Sequence, residues 1–141
     1  MLKKKIAVTL MTLTGLAVMP IVSLASAYGY QYWGGFSANV ANQTIRIPSG
    51  QLYHAINGSG YHINWQGANF GSVANICEPS VKFTYGYGSY YLNGNVHSGC
   101  SKVGQWKYNL NWNAPGGDAC AELWAKQWRV LITRQCHYIH G

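Results

Sequence analysis

The stretch from Cys77 to Cys100 limits what this chain can fold into more than any other. Gly88-Ser89 suits a two-residue hairpin turn with glycine first. Folding there sets Tyr87 against Tyr90, Tyr85 against Leu92, Phe83 against Gly94, Val81 against Val96 and Cys77 against Cys100. One face then gathers the cysteines with valine, phenylalanine, tyrosine and leucine. The other carries Glu78, Ser80, Lys82, Thr84, Tyr91, Asn93, Asn95 and His97. Strand side chains alternate, so a one-residue slip would scramble both faces. In this register the Phe83 ring covers the bare backbone of Gly94.

The chain has four cysteines. An even count in an exported chain reads as disulfides. The hairpin register pairs Cys77 with Cys100 and leaves Cys120 with Cys136. No Cys-x-x-Cys spacing occurs, which argues against structural zinc. Each bridge closes a short loop, worth on the order of 3 kcal/mol on the chain-entropy model.

Export is expected from the first residues. Lys3, Lys4 and Lys5 precede an apolar run from Ile6 to Leu24, and Ala25-Ser26-Ala27 follows. Basic, apolar and small-x-small segments in that order describe a secretory signal peptide over residues 1–27. Thr9, Thr12, Thr14, Gly15, Pro20 and Ser23 dilute the run and argue against an uncleaved anchor. Residues 28–141 then form a single secreted, extracellular domain. Three of the ten lysines and arginines lie in the leader and all three acids lie beyond it, leaving a formal charge of +4. All six tryptophans, eleven tyrosines and three phenylalanines also lie beyond Ala27, too many for a disordered chain.

Tyr28 to Phe36 is aromatic and glycine-rich. It reads as an edge strand covering the core, or as an exposed aromatic patch facing a glycan or membrane surface. Thr44–Pro48 reads as a strand with Ile45 and Ile47 inward. Gln51–Ile56 and Tyr61–Gln66 flank a four-residue loop and pair Leu52 with Trp65, His54 with Ile63 and Ile56 with Tyr61. Tyr53, Ala55, His62 and Asn64 face the other way, and 67–71 reads as a loop. Gln105–Asn113 alternates without a fault, Trp106, Tyr108, Leu110 and Trp112 against Lys107, Asn109, Asn111 and Asn113. It is expected to lie beside the Tyr90–His97 strand as the third member of a meander. Cys120–Ala125 and Val130–Cys136 form a hairpin pairing Trp124 with Ile132 and Glu122 with Arg134; a short helix over 119–127, capped by Asp118, is the alternative. The expected fold is all-β, a small disulfide-stabilised antiparallel sandwich or open barrel of about seven strands.

Catalytic constellations are poorly supplied. A two-carboxylate glycosidase would have to draw on Glu78, Asp118 and Glu122 alone. Glu78 adjoins a structural cysteine and Glu122 has Arg134 as partner. Ser98 and His97 are strand neighbours that point to opposite faces. His54 faces the apolar side, while His62 and His97 face the polar one. His137 and His140 are spaced His-x-x-His without the glutamate of a metalloprotease. No cofactor motif, metal-ligand set or specific nucleic-acid motif is present, and nothing points to an enzyme.

Recognition chemistry remains. If the central strands pair, Lys82, Tyr91, Asn93, Asn95, His97, Lys107, Asn109 and Asn111 form one platform of amides, a ring and cations. Amides hydrogen-bond sugar hydroxyls, rings stack on sugar faces, and the lysines meet a phosphate or carboxylate. The leading expectation is a secreted, cationic, aromatic-rich, non-enzymatic protein that binds an anionic or glycan-rich cell-envelope polymer. The charge and the aromatic N-terminal segment also fit an antimicrobial or bacteriocin-like effector with membrane-surface contact. A small secreted hydrolase such as a ribonuclease is the third class.

Overall fold

The computed structural model describes residues 26–141. Of the leader read in residues 1–27, residues 1–25 lie outside the described residues, and Ala27 is the first residue of strand β1. Ten strands follow in order: β1 (Ala27–Trp33), β2 (Phe36–Val40), β3 (Gln43–Ile47), β4 (Gly50–Ser59), β5 (His62–Cys77), β6 (Ser80–Tyr85), β7 (Tyr90–Asn93), β8 (Cys100–Asn113), β9 (Gly117–Ala125) and β10 (Val130–Ile139). They form two four-stranded antiparallel sheets, ordered β1-β4-β5-β8 and β10-β9-β6-β7, with β2 and β3 as a separate hairpin. No helix occurs among the described residues.

The sheets share one core. Leu52, Ile63, Phe70 and Trp106 come from the first sheet, and Val81, Phe83, Leu123 and Ile139 from the second. Rings meet across the gap, Phe83 edge-on to Tyr108 and Tyr85 edge-on to Trp112. The expected all-β, disulfide-stabilised sandwich is thus the observed architecture, with more strands than expected and with β4, β5 and β8 longer than read.

Cys77–Cys100 and Cys120–Cys136 are the two disulfides, and no cysteine is free. Cys77 and Cys100 oppose each other as expected, but in the β5–β8 ladder rather than at the foot of the β6–β7 hairpin. At the hairpin tip Tyr85 pairs with Tyr90 and Phe83 with Leu92, two residues from the expected register. A shift of two leaves the side chains of β6 and β7 on their expected faces. Segment 94–99, which is not strand, absorbs the difference. Gly94 donates its N–H to Val81 O at 2.7 Å, His97 to Pro79 O at 2.9 Å, and Glu78 to Gly99 O at 2.7 Å. The ring over Gly94 is Trp106, not Phe83: a Cβ there would lie 3.0 Å from Trp106 Cδ1.

The same crossing corrects the expected meander. β8 alternates as read, with Trp106 buried and Lys107, Asn109, Asn111 and Asn113 exposed. It pairs with β5 in the first sheet and only faces β7. Segment 94–99 carries the chain between sheets and is tied to the inner face of β8. Trp106 Nε1 donates to Asn95 O at 2.6 Å, and the Tyr108 hydroxyl accepts Asn95 N–H at 2.9 Å.

β4 and β5 turn at residues 60–61, so Leu52 pairs with Phe70 and Ile56 with Gln66, not with Trp65 and Tyr61. Residues 67–71 are strand, not loop. Gln66, Ala68 and Phe70 are buried on one face, and Gly67, Asn69 and Gly71 alternate with them. Register shifts around Asn64 place Ile63 inside and turn Trp65 outward.

The last segment is the hairpin β9–β10, which excludes the helix over 119–127. Glu122 pairs with Arg134 as read, but an irregularity at Ile132 gives Trp124 to Leu131. The turn holds Lys126, Gln127 and Trp128 at φ 56°, 53° and 72°.

Candidate functional site

The expected platform is divided between the two sheets. Lys82, Tyr91 and Asn93 lie on the outer side of the second sheet, where Lys82 Nζ sits 4.7 Å from the Tyr91 ring centre. Lys107, Asn109 and Asn111 are exposed on β8 in the first sheet. Asn95 and His97 belong to the crossing segment. The His97 ring stacks on buried Trp106 at 4.3 Å, so it packs against the core instead of joining a polar face.

A different cluster is assembled on the outer face of the first sheet. Its ladders set side chains in four rows: Asn57–Trp65–Asn109, then Tyr28–Ala55–Gly67–Lys107, then Tyr30–Tyr53–Asn69–Gln105, then Tyr32–Gln51–Gly71–Val103. In the second row Ala55 and Gly67 are buried because nothing larger stands there. They floor a depression of about 220 Å³ walled by Tyr53 and Trp65, with Asn69, Gln105 and Lys107 along its side. Tyr53 is held by Tyr30 at 5.0 Å and Tyr28 at 6.4 Å between ring centres. Lys107 Nζ lies 4.4 Å from the Trp65 ring centre. The fourth row opens into a second, shallower depression of about 450 Å³, bordered by Tyr32, Gln51, Gly71, Lys102 and Val103.

The order of residues explains this face. Tyr28, Tyr30 and Tyr32 alternate along β1, so the segment is the edge strand read from the sequence and also carries exposed aromatic rings. Trp33 turns in instead, its Nε1 donating to Pro48 O at 2.6 Å. Glycine at position 67 beside Ala55, and glycine at position 71, remove side chains that the neighbouring rows carry. The result is aromatic walls, a flat floor and amides with free donors and acceptors, a surface suited to sugar rings and hydroxyls.

The histidines form no comparable site. His54 is fully buried and stacks on His137 at 5.0 Å. Its Nε2 accepts from Gln66 Nε2 at 2.6 Å, and Gln66 Oε1 accepts the Tyr85 hydroxyl. The proton of neutral His54 is thereby assigned to Nδ1, which has no hydrogen-bond partner. Burial first, then the neighbouring His137, lower its pKa from 6.5 to about 3, with the Gln135 backbone acting weakly in the opposite sense. Burial likewise raises the Tyr85 phenol above its ordinary range. His54, Gln66 and Tyr85 are all buried, so this network lies inside the core.

Glu122 is held by Arg134 at 3.0 Å and by Trp124 Nε1 at 3.2 Å. Glu78 and Asp118 stand beyond opposite ends of β6, so the carboxylates do not converge. No group of three or more His, Cys, Asp or Glu able to hold a metal occurs among the described residues.

Sequence reasoning named Lys107 and Asn109 but missed Tyr53, Trp65, Ala55 and Gly67 as one unit. The usable signal was the alternation of Gly67, Asn69 and Gly71 with Gln66, Ala68 and Phe70, hidden by the turn-like glycines. Neither a family model, a curated protein nor a solved structure matches the chain.

Proposed function

We propose that this is an exported, non-catalytic protein that holds a cell-envelope glycan against the outer face of the β1-β4-β5-β8 sheet. The observation that carries the reading is the Ala55–Gly67 floor between the Tyr53 and Trp65 rings, with Lys107 and two amides beside it. Sugar rings present apolar C–H faces that stack on such rings, while their hydroxyls exchange hydrogen bonds with Asn69 and Gln105. Tyrosine and tryptophan supply this contact at low conformational-entropy cost. The lysine-led leader and the two disulfides support export.

The test is binding of the purified oxidised protein to insoluble wall polysaccharide, with a melting curve for each variant. Tyr53→Ala and Trp65→Ala should each weaken binding by about tenfold, or ~1.4 kcal/mol, while remaining folded. Full affinity in both folded variants overturns the assignment. Intact indicator cells are the second arm: growth inhibition or dye leakage would move the protein to the effector class.

A further inference from the structure

We infer that the ligand is an acidic glycan long enough to cross both depressions of this face. The inference rests on the glycan reading above and adds the ligand's charge and its reach.

The reach follows from the rows. Gly67 floors the first depression and Gly71 borders the second. They lie four residues apart on β5, about 13 Å at ~3.3 Å per residue. Between them stands the row Tyr30–Tyr53–Asn69–Gln105. Its β5 and β8 members are exposed amides, so a chain passing from one depression to the other meets hydrogen-bonding groups rather than a wall. Tyr53 and Tyr30 stand to one side and set the direction of travel along β5 and β8.

The charge follows from where the acids are. The chain has three, Glu78, Asp118 and Glu122. Glu78 follows β5 at the turn into the second sheet, and Asp118 and Glu122 lie on β9. None stands in the four rows of this face; Lys107 stands in the second row at the first depression, and Lys102 borders the second depression. The other sheet differs. There Lys82 stands in register with the Glu122 carboxylate, which binds Arg134, so an acid lies among the cations of that face. An anionic group carried along the sugar chain therefore meets cations and no carboxylate along the first sheet's face.

The experiment is calorimetric titration of the oxidised protein with oligogalacturonates, from disaccharide to octasaccharide, and with their neutral methyl esters. Immobilised phosphate-bearing and neutral wall polysaccharides run in parallel, to separate carboxylate from phosphate as the source of charge. The acidic ligands should bind more tightly than the neutral ones, and salt should reduce the difference. Affinity should rise by about tenfold or more as the chain comes to span both depressions. Lys107→Gln and Lys102→Gln should each remove part of the preference for acid. Gly71→Val should remove the gain with length. A Cβ at Gly71 meets nothing within 4 Å, so this variant fills the depression without disturbing the core.

Equal binding of acidic and neutral chains, unaffected by Lys107→Gln, overturns the inference and leaves the glycan function standing. Affinity that saturates at the disaccharide, or a length gain that survives Gly71→Val, overturns the reach. Retention by no glycan of either charge overturns both the inference and the function.

Discussion

The Lys107 ammonium lies 4.4 Å from the centre of the Trp65 ring, across the β8–β5 boundary. An exposed cation over an indole contributes ~0.5–1 kcal/mol. It also parks a charge beside the depression floored by Ala55 and Gly67. Trp65→Leu should therefore reduce stability by about 1 kcal/mol through this contact, and reduce glycan affinity more. Denaturant titration beside a binding isotherm separates the two. A large loss of stability with intact binding would show that the ring serves packing alone.

Tyr91 and Tyr53 distinguish the faces. Tyr91 is exposed on the second sheet and touches Lys82; Tyr53 walls the depression on the first. Tyr53→Ala should weaken binding and Tyr91→Ala should not. The reverse result would return the site to the second sheet.

Phe83 is the core control. It is fully buried between the sheets. Phe83→Ala should cost ~3–5 kcal/mol, seen as a lower unfolding midpoint, with binding lost only in step with folding. A midpoint near that of the parent protein would contradict its place in the core.

His54 makes stability depend on pH. Its pKa falls from 6.5 unfolded to about 3 folded, so the folded protein holds it neutral. The unfolded chain takes up the proton first as pH drops. The contribution is whole above pH 6.5 and is lost progressively toward pH 3, at roughly 1.4 kcal/mol per unit. His54→Leu leaves the Gln66 amide without an acceptor and should be less stable at neutral pH. Its acid limb should be flatter. Melting temperatures from pH 7 to pH 3 for both proteins decide this, and parallel curves would sink the prediction.

Removing Cys120 and Cys136 together by alanine substitution should cost on the order of 3 kcal/mol on the chain-entropy model, as should removing Cys77 and Cys100. Equilibrium unfolding measures both. Non-reducing peptide maps should show only the pairings Cys77–Cys100 and Cys120–Cys136, and any crossed pairing would contradict the ladders that oppose them.

Much of the fold was legible because errors of two are harmless in a strand. The β6–β7 register moved by two and both strands kept their faces. The alternation from Trp106 to Trp112 was also secure, since it needs no partner to be read. Two things lay beyond local pattern. One was the sheet that β8 joins, which depends on a crossing at 94–99 that resembles a continuing strand. The other was the irregularity around Asn64, which carries no distinctive residue yet turns Trp65 from core to surface. A single unpaired residue therefore decided whether the site could be seen at all.

Among the described residues strand β1 hydrogen-bonds to one neighbouring strand, β4, yet it carries Tyr28, Tyr30 and Tyr32 at the border of the face. The border is thus made of the most easily peeled ladder in its sheet, while the floor belongs to a central one. A ligand that leans on those tyrosines fastens the strand as it binds. Occupancy should accordingly be written into the deuterium uptake of residues 28–33, slowed there while the amides of β5 stay as they were.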